Sequence, residues 1–473
     1  MLKKTPNIIY FISFSIIIIS LFSDYYFEIF AAFFVLILIF ILFWQENKPL
    51  IILAAMLYQW LSISIGYIYL VFTNVEHKDL LRRYFFAIDN IQTAYWLSII
   101  ALIFFSIGIK LALINYKLKQ ISTELVDKYD TLKVIIFYVL FDLLTGILHN
   151  AIRYTIPGLS EPILYFSYLK WAIFFIMIYI SFTKNEYRLL VFIIIVIEVI
   201  IGFTGYFSSF KDIMIIFPIA YLSFNKLKLK QTLVITFIAI IIFNIGVVWT
   251  YVKGDYRVFL SGGERAQTVT VSKTQALEKL YSLAKEFSWE KYEIGLNAMI
   301  QRIYYIEYFS ATIRNIPDYR PYFNGEIWEK AIQHILMPRM FFPDKKIIDD
   351  SKQTYLLTGI SVAGMEQGTS ISVGFMAESY ADFGPVFMFF VIFTLAFTIG
   401  FIYKTISNTA YNDLWKRAVI FPMFFIININ GVDAIKVTGK VFMFFIVFFL
   451  INKFLMHYID KFLRTKQSDN YAN

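Results

Sequence analysis

Two carboxylates four residues apart, Glu378 and Asp382, stand in the stretch Gly368-Thr-Ser-Ile-Ser-Val-Gly-Phe-Met-Ala-Glu-Ser-Tyr-Ala-Asp-Phe-Gly-Pro. That spacing puts both on one helical face. They fall where a polar segment gives way to an apolar run, and acids at the end of a membrane span are costly unless solvated or paired. Glu378 is therefore a candidate general base for a hydroxyl. The alternative is that both acids lie at headgroup level and merely end the preceding loop. That loop carries Arg257, Arg265, Arg302, Arg314, Arg320 and Arg339. The guanidinium fork suits bidentate phosphate binding, although the same arginines are equally able to pair with the loop's own Glu and Asp. Tyr304, Tyr305, Tyr308, Tyr319, Tyr322 and Trp328 add flat faces of the kind on which sugar rings stack. His149 and His334 are candidate proton acceptors or ordinary interface residues.

Three further positions carry charge inside or beside apolar runs. In Ser208-Ser-Phe-Lys-Asp, Lys211 opens a helix, and a cation beside a helix N-terminus suits an anion. Lys211 could equally anchor the helix end by snorkelling. Asp142 and Glu198 lie within apolar runs and are expected to pair with Lys170 or with a neighbouring hydroxyl. Other chemistry is excluded. The chain has no Walker loop, dinucleotide fingerprint, HExxH or GxSxG. It has no cysteine, hence no disulfide, thiolate metal site or cysteine nucleophile, and its 4 histidines are scattered. Neither a metal nor a cofactor is expected.

The elements that position these residues follow from composition. Of 473 residues, 59% are hydrophobic and 16% charged, with a mean hydropathy of +0.65; soluble proteins carry about a quarter charged residues. The apolar residues come in long runs. Each run must satisfy its own backbone in lipid, which gives helices of about 20 residues. Spans are expected near 8–22, 27–44, 50–73, 92–114, 133–149, 163–183, 187–205, 211–225, 232–252, 375–403, 417–432 and 438–458. The first reads as a retained span, because Ser20-Leu-Phe-Ser-Asp-Tyr-Tyr offers no small-residue cleavage site. With the N-terminus inside, Lys and Arg in the short loops divide close to three to one in favour of the cytoplasm. Both termini are then cytoplasmic, and the net charge of +9 reads as topology rather than as a nucleic-acid surface.

The reading is an all-α, polytopic transmembrane bundle with a helical extracytoplasmic subdomain. It comprises an N-terminal bundle (1–252), a large external loop (253–372), a C-terminal bundle (373–460) and a cytoplasmic tail (461–473). Within the loop, Leu277, Leu280, Tyr281, Ala284 and Phe287 recur at helical spacing behind a Ser272 or Thr274 cap. A second run puts Leu296, Met299, Ile300 and Ile303 on one face with Arg302 just off it, and a third extends from Glu326 to Met337, before Pro338. This subdomain is expected to lie on the membrane surface.

In this layout, the chain resembles the O-antigen polymerase (Wzy) family of bacterial oligosaccharide repeat-unit polymerases. The resemblance rests on the span pattern, the long late loop, Gly205-Tyr-Phe-Ser-Ser-Phe-Lys, and Met337-Pro-Arg-Met-Phe-Phe-Pro-Asp-Lys followed by Gly368-Thr and Ala377-Glu-Ser-Tyr-Ala-Asp-Phe-Gly. It covers the whole chain in layout and about 50 residues in motif. The resemblance implies a multi-pass enzyme of the bacterial cytoplasmic (inner) membrane, without metal, acting on undecaprenyl-diphosphate-linked oligosaccharide at the outer face. A flippase and a chain-length regulator are the further partners such an enzyme implies. Glu378 would be base or acceptor-orienting group. Arg302, Arg339, Lys211, Arg257, Tyr305 and His334 would bind substrate. An O-antigen ligase shares the loop-and-arginine design and differs in its acceptor. A lipid-linked oligosaccharide flippase or secondary transporter is the other alternative, kept open by Asp142 and Glu198. A polyprenyl-phosphate glycosyltransferase with acids in its first external loop fits less well, since that loop holds a lone Asp24.

Overall fold

The computed structural model of the chain describes residues 6–45, 48–73, 89–204, 210–225, 229–263, 269–286, 288–337, 342, 344–345, 348–362, 370–429 and 431–465. Runs of Ile, Leu and Phe without a charge become helices, and no β-strand occurs among the described residues. The first group is α1 (Asn7–Ser20), α2 (Tyr26–Phe43), α3 (Ile51–Thr73) and α4 (Ile91–Ala112). A short α5 (Thr123–Asp127), capped by Ser122, leads to α6 (Thr131–Thr155), whose first turn is capped by Asp130. There follow α7 (Ser160–Ser167), α8 (Leu169–Lys184), α9 (Arg188–Thr204), α10 (Phe210–Leu222) and α11 (Leu229–Leu260). Seven helical stretches among the described residues are long and apolar enough to cross a membrane, namely Tyr26–Phe43, Ile51–Thr73, Ile91–Ala112, Thr131–Ile152, Ser160–Lys184, Phe375–Asn408 and Ala434–Leu463. The protein is membrane-embedded. Other expected spans are shorter helices, such as the 14-residue α1 and the 13-residue α10 with its internal Pro218.

The polar stretch between the two bundles folds as α12 (Lys273–Lys285), α13 (Trp289–Ile303), α14 (Ile306–Asn315), α15 (Glu326–Leu336) and α16 (Asp350–Thr358). The cap expected at Ser272 or Thr274 is Ser272, closed into a capping box with Gln275. These helices share the bundle's own core rather than resting on it. Tyr304 is fully buried, and its ring fills the space where a side chain at Gly66 would stand, 2.5 Å from an ideal Cβ. Tyr69 of α3 donates to Asn297 of α13 at 2.6 Å. A Cβ at Gly295 would meet the Val247 carbonyl of α11 at 2.8 Å.

The C-terminal part begins with α17 (Phe375–Thr409), which is broken at Gly384 (φ 73°, ψ −177°) ahead of Pro385. Its long second arm packs on α4 at backbone distance. A Cβ on Gly108 would lie 2.7 Å from the Phe393 carbonyl, and one on Gly400 would lie 2.8 Å from the Ala112 Cβ. Small residues permit such an approach, and dispersion over the long seam holds the pair in lipid.

The span expected over 417–432 is not one helix. It is α18 (Asp413–Ala418), a 3-10 turn at Phe421–Met423 and the single turn α19 (Phe424–Ile427). The stretch starts beside the C-terminal end of α17 and finishes with Val432 accepting from the Phe375 N–H at its other end, at 2.7 Å. It therefore recrosses the bundle in pieces. Pro422 removes a helix donor, and irregular backbone survives at this depth only when enclosed by protein. Leu414, Trp415, Val419, Ile420, Phe421, Met423 and Ile427 are accordingly fully buried. The chain ends with α20 (Ala434–Leu450), a π turn at Ile451–Leu455 and α21 (Met456–Leu463).

A buried carboxylate fastens the end opposite the interdigitated loop. Asp460 is 1% exposed and accepts from the Tyr129 hydroxyl, from Asn412 Nδ2 at 2.8 Å and from Trp415 Nε1 at 2.9 Å, while pairing with Arg464 at 2.6 Å. It thus ties α18 and α21 to the start of α6. Tyr129→Phe removes one donor to a charged acceptor, so a loss of about 1.5 kcal/mol is expected, read as a lower detergent-denaturation midpoint with activity unchanged.

Candidate functional site

Loop 370–374 docks against loop 429–433, and two glycines allow it. Gly374 (φ +88°) and Gly431 (φ +68°) stand face to face, where an ideal Cβ on Gly374 would be 3.3 Å from the Gly431 Cα. Both conformations are ones side chains resist. Tyr305 locks the junction. Its ring would be 2.8 Å from a Cβ on Gly431, and its hydroxyl donates to the Ser372 carbonyl. Tyr305, expected to bind substrate, thus packs between these loops. From this junction α17 starts upward and carries Glu378 and Asp382 on one buried face, 2% and 1% exposed.

The two acids have separate tasks. Asp382 faces the N-terminus of α15, accepting from Gly325 N at 3.0 Å, Ile327 N at 3.2 Å and Trp328 N at 3.0 Å. It supplies from another helix the capping oxygens that α15 lacks at its own Gly325 N-cap. Its role is structural, as a cap rather than as a loop end at headgroup level. Glu378 accepts from Ala434 N at 2.6 Å through Oε2, at the start of α20. That bond leaves Oε1 for the cleft Glu378 lines.

This cleft has a volume of about 740 Å³ and lies between α15, α16 and the α17–α20 junction. Phe323, Ile327, Phe342 and Ile435 form apolar wall, while His334, Gln353, Asp350, Asp433 and Glu378 supply polar groups. His334 and Glu378, singled out from sequence, meet here. Asp350 pairs with Lys436 of α20, and Asp433 pairs with the same ammonium at 3.5 Å. Ser370 donates to Asp350 as well.

The predicted phosphate-binding cations gather elsewhere. Lys211 at the start of α10, Arg257 in the last turns of α11 and Arg302 at the end of α13 lie within Coulombic reach of one another. Lys253, one turn before Arg257, joins them. Lys253 stands just beyond the expected span 232–252. Burial, then Arg302, Lys211 and Arg257, push its ammonium down to about 7. Arg302 is also lowered, by burial first and then by Arg257. Its side chain is nonetheless exposed, and the other three are half-buried. Among the described residues, Lys211, Lys253 and Arg302 make no salt bridge with a carboxylate. Three separate elements thus bring like charges together without neutralising them, an arrangement that favours a polyanion. Arg339 and Arg265 lie outside the described residues.

Beneath this cluster runs a neutralised polar network. Lys170 pairs with Asp142 at 2.9 Å and lies over the Trp171 ring at 4.7 Å. Glu198 accepts from the Tyr138 hydroxyl. Both acids therefore found the partners expected for them, an ammonium for one and a hydroxyl for the other. Sequence reading passed over Lys253, Asp350, Asp433 and Lys436. Lys253 was visible as a cation one helical turn from Arg257. Asp433 and Lys436 pair locally at the start of α20, and only tertiary structure brings Asp350 to them. Compared with family models, curated proteins and solved structures, the chain matches none.

Proposed function

We propose that the chain polymerises undecaprenyl-diphosphate-linked oligosaccharide repeat units by glycosyl transfer at the outer face of a bacterial inner membrane, its termini in the cytoplasm. The observation that carries the reading is the gathering of Lys211, Lys253 and Arg302 from three separate elements beside Arg257, with no salt bridge from these three to a carboxylate among the described residues. A diphosphate leaving group gathers charge as its bond to the anomeric carbon breaks, and preorganised cations stabilise that charge. The acceptor hydroxyl oxygen forms the new bond to the anomeric carbon. Its proton passes to a base, and the lipid diphosphate departs with the electron pair. Glu378 is the base this scheme assigns, with the hydroxyl held in line. The resemblance to O-antigen polymerases points the same way.

Deleting the gene in its host tests the reading. A polymerase loss leaves single repeat units on the lipid carrier. Long unattached polymer would indicate a ligase instead. The half-buried pair of Lys170 with Asp142 favours a second reading as a lipid-linked oligosaccharide transporter, in which case no glycan would reach the outer face. Glu378→Gln keeps an acceptor for Ala434 N and is expected to lower polymer yield about a hundredfold with the melting temperature unchanged. Normal polymer from this variant would remove Glu378 from the mechanism.

A further inference from the structure

Two carboxylate oxygens at the cleft wall are incomplete. Asp350 and Asp433 are 3% and 4% exposed, yet among the described residues Asp350 Oδ1 and Asp433 Oδ2 accept no hydrogen bond. The nearest cation to Asp433 Oδ2 is Lys436 Nζ at 3.5 Å, too long for a charge-assisted hydrogen bond. Buried acceptors left in this state are destabilising and call for donors. A cation is a poor candidate, because the Lys436 ammonium already occupies the place between the two acids. What fits is a neutral molecule rich in O–H and N–H donors. The apolar part of the lining, with Phe323, Phe342 and Ile327, suits the C–H face of the same molecule. A saccharide has both surfaces. A diphosphate, by contrast, belongs with the cations near Arg302, because the cleft lining sets five carboxylates (Asp344, Asp349, Asp350, Glu378 and Asp433) against Lys330 and Lys345.

We propose that this cleft is the acceptor-sugar subsite, in which hydroxyls of the acceptor's terminal residue donate to Asp350, Asp433 and Glu378, with Gln353 of α16 completing the contact. The assignment rests on the glycosyl-transfer reading and divides the substrate by charge. The glycan enters the acidic cleft, and the lipid diphosphates stay among the cations.

The probe is the free oligosaccharide released by mild acid from the lipid-linked repeat units that accumulate in the deletion strain. Its binding to purified full-length protein in nanodiscs is measured by calorimetry. Asp433→Asn keeps an oxygen to cap α20, and Gln353→Ala leaves the ion pair of Asp350 with Lys436 intact. Each is expected to weaken binding about tenfold, whereas Glu124→Gln, in an exposed pair with Lys128, leaves it unchanged. Equal binding by all variants, or none by the unaltered protein, would overturn the subsite while leaving the polymerase reading in place. Should the deletion strain accumulate no lipid-linked repeat unit, the polymerase reading and the subsite fall together.

Discussion

Replacing Arg302 by Gln or Lys253 by Met should lower polymer formation by about 10²–10³-fold and at the same time raise the melting temperature of the substrate-free protein. The two effects share one cause. Cations held this close repel one another, a cost that a bound anion would relieve. Removing one relieves the repulsion and, on the proposed reading, removes a ligand for the diphosphate, the trade-off expected of a preorganised site. Acidity gives an independent check. The folded-state value of Lys253, about 7, lies below its ordinary 10.5. Between those limits the unfolded chain binds more protons, so stability rises with pH across the window. Lys253→Met should therefore gain most over the parent below pH 7 and progressively less above it. Binding a diphosphate restores the ammonium, so near pH 8 binding should take up protons, visible as a dependence of binding heat on buffer ionisation enthalpy. A variant that loses stability and activity together would make the cluster structural. Because the four charges act on one another, double variants should be clearly non-additive.

How far the sequence could be read depended on the range of the interaction concerned. Apolar runs such as 27–44, 50–73 and 92–114 became α2, α3 and α4 because a span in lipid has only its own backbone to satisfy it. The Ser272 cap and the Lys170–Asp142 pair were legible for similar reasons, as a local hydrogen bond and as an ion with few possible partners. The run 417–432 was not. Its hydropathy equals that of a span, but what decides between a helix and broken pieces is whether surrounding protein encloses the backbone, and Pro422 alone hints at the answer. The site divided along the same line. Lys211, Arg257 and Arg302 could be named from residue type, while the meeting of Asp350 with Lys436 depends on α16 packing near α20, 86 residues further along the chain. The packing of Tyr305 was not legible, because an aromatic ring that stacks on sugar and one that plugs a glycine junction have the same sequence appearance.

Asp382→Ala should be the most damaging single truncation in the cleft region, at about 3–5 kcal/mol. Three N–H groups at the start of α15 lose their acceptor, and those of Ile327 and Trp328 are buried, out of reach of replacement by water. No residue of α15 can substitute, since its N-cap is Gly325 at φ +100°. Asp382→Asn retains one oxygen but turns an amide donor toward N–H groups, so an intermediate loss is expected. The consequence reaches the site because α15 carries His334 and one wall of the cleft, and Trp328 is fixed to Ser379 of α17 at 3.1 Å. Loss of the cap should therefore increase hydrogen exchange over 326–336 first, before the membrane helices respond. Activity should fall in proportion to the population in which α15 has loosened, and recover on cooling. Glu378→Gln predicts the reverse pattern, a chemical defect in a normally stable protein. If Asp382→Ala instead left α15 exchange unchanged and abolished polymer at every temperature, the two neighbouring acids would have to exchange roles.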